Sequence, residues 1–385
     1  MKRVPEHLAL TTTLSDGAFA GLVWPRLLHA AGLALRPARI GLGVFALVAV
    51  GLIDRLPAIW NKEGAGALAA WARRVPEQAG RVHAGIVNGD AGAIGAGLSD
   101  LFVRTPRNLF AAAPISTAVI LLLALPVWGV FVLAISRSAA TEAGGGERLG
   151  WSDAMAFARS RWLSAFGVLV TPWVVVYGTI LTLAALGWAL LNWPWLQVMG
   201  GVCFVFALPL GVLGVVAMLG LVLGGWMLAP AVACEGSDAI DAMQRVYAYT
   251  IAKPARIAAY VVILAVAGVL CIGAAEVVAR LVSEFTFRAA TLWVHEPLAG
   301  MMRAEATAGE AATWSREAAA ASVRFWTRVP LLLVAGYAVS YLCCAGTMLY
   351  LVVRRVCDGQ DMGELWRPGM VPGTYAPELA EDGDE

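Results

Sequence analysis

The sequence has little charge, and this shortage excludes several classes of protein. Only 14% of its 385 residues are charged, whereas a soluble globular protein carries about 25%. Lys and Arg total 28 and Asp and Glu total 27, so the net charge of +1 gives no electrostatic basis for binding nucleic acid. With 59% hydrophobic residues and a mean hydropathy of +0.72, most of the surface must face something other than water. The composition excludes a soluble enzyme and predicts an integral membrane protein.

Groups that bind metals or cofactors are also scarce. The six cysteines lie mostly in or beside apolar runs and none forms a Cys-x-x-Cys pair, so we interpret them as small hydrophobic residues. The four histidines lie outside the clear spanning segments, which argues against a haem held by two histidines of a bundle. Gly92, Gly95 and Gly97 lack the Gly-Lys-Ser/Thr of a phosphate-binding loop. We predict no cofactor, no metal and no catalytic residue.

Long apolar runs are present, and they predict membrane-spanning helices. A helix needs about 20 apolar residues to cross a hydrocarbon core about 30 Å thick. The run Trp162–Cys234 is too long for one helix, and the proline and tryptophans at 192–195 predict a turn at the membrane interface. Cutting the run there gives six spans, near residues 40–60, 114–136, 163–190, 200–229, 257–275 and 329–353. A further break near Pro209 and Gly211 would give seven.

The positions of basic residues predict the orientation of the chain. Arg36 and Arg39 precede the first predicted span. Arg354 and Arg355 follow the last, and the short turn at 192–195 has no basic residue. Because short loops rich in Lys and Arg stay in the cytoplasm, we predict a multi-pass protein of the bacterial cytoplasmic membrane with both termini in the cytoplasm.

The segments outside the spans predict a helical cap on the far side of the membrane. Acidic and basic residues alternate every four positions after the fifth span, which is the spacing of neighbours on a helix. They are Glu276, Arg280, Glu284 and Arg288. We predict one helix from about Ile257 to Trp293, with Phe285 buried in the cap. The earlier segment has a helical pattern that breaks at Pro76. The alternative is a loosely ordered loop.

The predicted fold class is therefore all-α: a polytopic membrane protein of about six transmembrane helices, with interfacial amphipathic helices and an extramembrane cap. The organisation is a cytoplasmic segment with an interfacial helix at 1–39, a six-span domain at 40–353 with cap segments at 61–110 and 276–328, and an acidic cytoplasmic tail at 354–385.

A short motif recurs on the predicted cytoplasmic side. Glu142 and Glu235 each end an apolar run and are followed by a Ser-Asp pair, at 152–153 and 237–238. We predict that the serine caps a short helix and that the aspartate interacts with its N-terminal dipole. The second such helix is amphipathic, which indicates an interfacial position, with Asp241 and Arg245 paired on its polar face. The candidate interfacial motif comprises Glu235, Ser237, Asp238, Asp241, Arg245 and Tyr247.

The residues around this motif resemble a bacterial membrane domain. The resemblance is carried by Ala229–Gly236, Asp241-Ala242-Met243, Tyr247 and Lys253-Pro254. They are similar to the multi-span domain that precedes the catalytic barrel in some glycerophosphodiester phosphodiesterases and that also occurs alone in membrane proteins of unknown function. The resemblance covers a small part of the chain, and the barrel is absent. It implies a multi-span fold and no activity.

Charged residues at the ends of two spans form a second candidate site. Asp54 and Arg55 lie near the end of the first span, and Glu276 and Arg280 lie at the end of the fifth. The simpler interpretation is pairing and snorkelling at helix ends. The alternative is a polar gate where the two helices meet, since ionisable residues at membrane depth are usually functional.

The absence of catalytic and coupling residues predicts a non-enzymatic scaffold or accessory subunit that binds membrane lipids or protein partners. Gly220 and Gly224 form a GxxxG pattern that permits close helix packing, within the bundle or in a homodimer. The alternative function is a transporter of a small solute or lipid without carboxylate-based ion coupling. A cavity lined by Tyr177, Thr179 and Tyr341 would favour the transporter, and a solidly packed bundle would favour the scaffold.

Overall fold

A computed structural model describes residues 24–60, 66–294 and 314–370, and this part of the chain contains no β-strand. Its helices are α1 (Trp24–Leu27), α2 (His29–Ala34), α3 (Pro37–Ile53), α4 (Ala67–Asn88), α5 (Ala91–Ser99), α6 (Thr105–Ala112), α7 (Pro114–Gly145), α8 (Trp151–Ser160), α9 (Trp162–Leu191), α10 (Gln197–Cys203), α11 (Ala207–Glu235), α12 (Ala239–Ala252), α13 (Pro254–Ala290) and α14 (Trp314–Asp358). Short 3₁₀ turns follow α3 and α10, and a π turn joins α5 to α6.

Six helical segments among the described residues are long and apolar enough to cross a membrane. They are Pro37–Ile59, Pro114–Gly145, Trp162–Leu191, Gln197–Glu235, Pro254–Ala290 and Trp314–Asp358. Each covers one of the six predicted apolar runs, the first except for its last residue, because a charge-free run of sufficient length satisfies its backbone in lipid as a helix. The prediction of an all-α polytopic membrane protein is confirmed.

Proline and glycine set the ends of the long helices. Pro37, Pro114 and Pro254 begin α3, α7 and α13, where the missing N–H would have no helical partner. Gly146 and Gly236 follow α7 and α11 with φ of +69° and +62°, a left-handed conformation that suits glycine. The turn at Gly236 reverses the chain, so that α12 packs against α11.

Helix α14 lies at the centre of the bundle and packs against α3, α7, α11 and α13. Half of its most apolar stretch is buried within the protein, against 11% for α9 and 11% for Gln197–Glu235. Glycines allow the close crossings: a Cβ on Gly336 would overlap α3, and a Cβ on Gly346 would overlap the Trp226 carbonyl oxygen of α11. The α9–α11 hairpin is therefore the peripheral part of the bundle.

The two predicted cap segments pack in different places. Phe102, in the π turn after α5, packs against Trp173 of α9 and Ala217 of α11. The second segment is a hairpin formed by the far ends of α13 and α14, where the Ser283 hydroxyl donates to the Thr327 carbonyl at 3.0 Å. The predicted break at Pro76 is wrong, because α4 continues through this position while packing on α5.

Helix α13 is one continuous helix of 37 residues, Pro254–Ala290, as its charge pattern predicted. The predicted burial of Phe285 is wrong, however, since this side chain is 76% exposed. The face toward α14 instead contains Ala279, Ser283 and Phe287, of which Phe287 is 8% exposed. Small residues at two of these positions let the helices approach closely.

Candidate functional site

The polar residues of the structure concentrate at one end of the bundle. We call it the basal end; it consists of the short helices α1, α2, α8 and α12, the start of α3, the C-terminal ends of α7, α11 and α14, and residues 359–370. Glu235 is its most buried carboxylate, 2% exposed. It pairs with Arg245 of α12 at 2.6 Å and accepts a hydrogen bond from the Tyr350 hydroxyl of α14. Tyr249 of α12 donates to the Asp358 carboxylate. These bonds join the consecutive helices α11 and α12 to α14, which is far from both in sequence.

The environment of α12 alters the pKa values of two of these groups. Burial lowers the pKa of Arg245, but the charge of Glu235, its hydrogen bond and the neighbouring Tyr350 and Tyr249 together raise it by more, so the guanidinium is held firmly in its charged form. Burial, together with the hydrogen bond to Asp358, raises the pKa of Tyr249 well above its usual range. Both side chains therefore keep the protonation state that the hydrogen bonds require.

The structure corrects the two predicted serine caps, at Ser237 and at Ser152. Asp238, not Ser237, caps α12, accepting from the Ile240 and Asp241 amides at 3.0 and 2.9 Å. The buried Ser237 hydroxyl has no hydrogen-bond partner among the described residues. The second serine, Ser152, lies inside α8, whose N-cap is Gly150.

Arg245 does not pair with Asp241, as the spacing predicted, but with Glu235. The left-handed turn at Gly236 brings the buried carboxylate next to α12. A desolvated partner attracts a guanidinium more strongly than an exposed one on the same helix.

Helix α12 also covers the GxxxG pattern of α11. Gly220 faces the ring of Tyr247, and Gly224 faces Val246 and Thr250. The Tyr247 hydroxyl donates to the Ala217 carbonyl at 3.0 Å. Both glycines therefore pack against α12 of the same chain, and the homodimer contact through this pattern stays a prediction.

The other copy of the repeated motif holds a similar ion pair. Glu142 of α7 pairs with Arg39 of α3 at 2.7 Å and also with Arg36, which precedes α3. Arg39 is 2% exposed and also donates to the Ser138 hydroxyl and carbonyl at 3.1 and 2.7 Å. Each glutamate of the repeat thus binds an arginine of another helix. The recurrence of an apolar run ending in Glu is the sequence signal for this site, but Arg36 and Arg39 enter the sequence analysis only through the orientation of the chain.

Residues beyond α14 fold back onto the basal end through Trp366. Its amide donates to the Cys234 carbonyl at 2.8 Å, and its ring packs on Gly236. Arg137 of α7 joins the same contact, donating to the Ala233 and Trp366 carbonyls at 2.7 and 2.8 Å. The Arg161 guanidinium lies 4.5 Å from the centre of the Trp366 ring, a cation–π contact. Sequence reasoning missed Arg137 and Trp366, because nothing local marks their contact.

Arg354 fixes the same segment from α14. Its Nη2 donates to the carbonyls of Asp361 and Glu364 at 2.9 and 2.8 Å. The chain between 359 and 366 therefore follows the basal end. The acidic stretch Glu378–Glu385 lies outside the described residues.

The four residues of the predicted polar gate do not come together. Asp54 is 5% exposed and accepts from the amides of Leu68 and Ala69 at 2.9 and 3.1 Å, which places it at the start of α4. Arg55 is exposed. Glu276 and Arg280 pair with each other on α13, with 3.0 Å between Arg280 Nε and Glu276 Oε1. Among the described residues, Asp54 bonds to backbone and Glu276 to its own helix, and neither forms a polar contact with the other pair; the polar gate stays a prediction.

Two cavities add to the site. An open cavity of about 500 Å³ lies between α11, α13 and α14. Tyr341 lines it, but its hydroxyl already donates to the Leu264 carbonyl at 2.6 Å. A second cavity, of about 490 Å³, opens at the basal end beside Arg26, His29 and Arg36. Tyr177 and Thr179 of α9 line neither cavity.

Among the described residues, no group of three or more His, Cys, Asp or Glu side chains could hold a metal ion. No protein-family model, no curated protein and no solved structure matches the chain. The resemblance to the membrane domain of glycerophosphodiester phosphodiesterases therefore stays a prediction.

Proposed function

We propose that the protein is a non-enzymatic scaffold or accessory subunit of the bacterial cytoplasmic membrane, which binds membrane lipids and a protein partner. The observation that carries this proposal is the use of the buried charges at the basal end. Arg39, Arg137 and Arg354 are 2%, 7% and 0% exposed, and all three donate to backbone carbonyls of this chain. They stabilise the shape of the protein and do not point at a substrate.

Burying a charge supports this interpretation on energetic grounds. Removing an ion from water costs several kcal/mol, which only well-placed partners can offset. Here the partners are carboxylates and carbonyls on distant segments, as in Arg39 with Glu142 and Arg137 with the Trp366 carbonyl. These contacts fix the shape of the surface at the basal end. A subunit that presents a binding site to another protein requires such a fixed surface.

The basal cavity provides such a surface. Arg26 and His29 are exposed at its rim, and Arg36 is 42% exposed although it pairs with Glu142. Exposed basic groups around a concave site complement an acidic segment of a partner protein. We propose that this surface binds the partner.

The lining of the cavity between α11, α13 and α14 favours the scaffold over the transporter. A path for a polar solute needs hydrogen-bonding groups that are free to bind it. Among the described residues that line this cavity, Tyr341 alone carries a hydroxyl, and that hydroxyl donates to the Leu264 carbonyl at 2.6 Å.

Site-specific crosslinking tests the partner surface. A photo-crosslinking amino acid at position 29 should capture one defined protein in cells. The same residue at position 52 is the control, because Leu52 is also exposed, at 64%, but lies on the apolar helix α3. Arg26→Glu should weaken the capture from position 29. Capture of lipid alone, or equal capture from both positions, would contradict the role as an accessory subunit.

Cysteine labelling tests the proposed orientation. Trp293, 94% exposed at the end of the α13 segment, and Arg367, 66% exposed at the basal end, are the two positions to replace. With both termini in the cytoplasm, a membrane-impermeant thiol reagent should label Trp293→Cys in intact cells and Arg367→Cys only after permeabilisation. The opposite pattern would invert the topology.

A further inference from the structure

We propose that the cavity between α11, α13 and α14 binds one chain of a phospholipid whose head group carries a primary ammonium, such as phosphatidylethanolamine. In this proposal Glu276 and Arg280, at the rim of the cavity, hold the head group. The inference rests on the proposed function in one respect, that the protein binds membrane lipid, and it names the class of that lipid.

The lining of the cavity fits hydrocarbon. Its floor includes Tyr341 and Leu342 of α14, and its walls include Trp226 of α11 and Leu264 and Gly273 of α13. Of the described residues that line the cavity, Glu276 is the only charged one. These helices cross the membrane, so lipid is the solvent that reaches an open apolar cavity between them.

The length of the cavity fits one lipid chain. The lining residues of α13 run from Val261 to Glu276. At 1.5 Å per residue this is a rise of about 22 Å. One leaflet accounts for half of a hydrocarbon core about 30 Å thick, or roughly 15 Å. The cavity is therefore long enough for one acyl chain together with the glycerol carbons above it, which would lie at the level of Glu276.

The rim has the charges that a zwitterionic head group needs. Glu276 is 44% exposed and Arg280, one turn further on, is 68% exposed. A carboxylate accepts hydrogen bonds from a primary ammonium, and a guanidinium binds a phosphate through two parallel bonds. A phosphatidylglycerol head group has no ammonium, and its negative charge would lie beside Glu276. A choline head group has no N–H to donate. The rim therefore selects ethanolamine.

Gly273 provides a direct test of the cavity. A Cβ at this position would meet no atom within 4 Å, so Gly273→Leu starts in open space and should place its side chain where the lipid chain would lie. Gly51 of α3 is the matched control, since a Cβ there also meets nothing within 4 Å but lies away from the cavity. Both glycines are in helices, so the two substitutions have similar effects on helix formation.

The experiment is native mass spectrometry of the delipidated full-length protein, titrated with palmitoyl-oleoyl phosphatidylethanolamine or phosphatidylglycerol. We expect one ethanolamine lipid to bind at least fivefold more tightly than the glycerol lipid. Gly273→Leu should lose at least tenfold in affinity, and Gly51→Leu should bind like the unmodified protein. Glu276→Gln should keep a bound lipid but lose the preference for ethanolamine. Elution as a single species by gel filtration confirms that each variant is folded.

Equal binding by folded Gly273→Leu and the unmodified protein would overturn the proposal. So would a dimer that Gly273→Leu dissociates, because the cavity would then hold a second copy of the chain. Crosslinking from position 29 separates this proposal from the proposed function. If position 29 still captures a protein but the titration shows no preference for ethanolamine lipid, only the lipid site is overturned. Ethanolamine binding without a crosslinked protein overturns only the role as an accessory subunit.

Discussion

The basal end and the opposite end of the bundle contain the same kind of ion pair in different surroundings. Glu235 and Arg245, at the basal end, are 2% and 31% exposed and belong to two different helices. Glu276 and Arg280, on α13, are 44% and 68% exposed and lie four residues apart on one helix. The first pair fixes how helices are arranged, whereas the second joins two residues of one helix and fixes no contact between helices. A charge pair therefore specifies tertiary structure when it is buried and its two residues lie on different helices.

The largest expected difference between the two ends concerns these pairs. Arg245→Met leaves Glu235 buried without its cation and should lower the free energy of unfolding by about 3–5 kcal/mol. Arg280→Met is the control and should change it by no more than about 0.5 kcal/mol, because exposed pairs contribute little. Unfolding by sodium dodecyl sulfate in mixed micelles measures both. Equal losses would mean that the two ends do not differ.

The two phenylalanines near the end of α13 sharpen the comparison. Phe287 is 8% exposed and Phe285 is 76% exposed. Phe287→Ala should destabilise the α13–α14 hairpin by about 3 kcal/mol, the low end for a buried phenylalanine. Phe285→Ala should stay within about 0.5 kcal/mol. Limited proteolysis should detect earlier cleavage at the far end of α13 only in Phe287→Ala; earlier cleavage in Phe285→Ala would restore the predicted apolar stripe.

Two glycines compare a tight crossing with an open position. Gly346→Ala places a methyl group against the Trp226 carbonyl and should destabilise the protein by about 1–3 kcal/mol. Gly273→Ala meets open space and should stabilise α13 by up to about 1 kcal/mol. Thermal unfolding in detergent should show a lower melting temperature for Gly346→Ala and a higher one for Gly273→Ala. Stabilisation by Gly346→Ala would show that α11 and α14 do not approach closely there.

The smallest effect concerns pH at the basal end. The raised pKa of Tyr249 keeps its phenol protonated in the folded protein above pH 10, where the same phenol ionises in the unfolded chain. The hydrogen bond to Asp358 thus contributes fully below the unfolded pKa, and stability falls as pH rises above it. Tyr249→Phe should reduce this fall by roughly 1 kcal/mol between pH 10 and 11. Unfolding curves at the two pH values check the difference; an unchanged slope would contradict the assignment.

Sequence reasoning predicted the elements that depend on local information. The apolar runs gave the six spans, and alternating charges gave the continuous α13, because both depend on neighbours along one helix. The predicted burial of Phe285 was wrong for a related reason. Helical spacing finds an apolar face, but it does not tell which face a partner covers. In this protein α14 covers the face of α13 that contains the small residues Ala279 and Ser283.

The basal end was only partly predictable. The repeated motif identified Glu235 and the start of α12, but the rule for neighbours four residues apart assigned Arg245 to Asp241. The spacing rule does not take Gly236 into account. This left-handed glycine reverses the chain and brings α12 back against α11, next to Glu235. The contacts of Arg39 with Glu142 and of Arg137 with Trp366 join segments far apart in sequence. No local pattern predicts them.

Hydrogen–deuterium exchange at Trp366 tests most directly whether the basal end is fixed by its own buried charges. Trp366 lies outside any helix, yet its amide donates to Cys234 and its carbonyl accepts from Arg137. We expect this amide to exchange more slowly than the exposed amides near the end of α13, and Arg137→Met to make it fast. Exchange of Trp366 within the shortest labelling time in the unmodified protein would contradict the account.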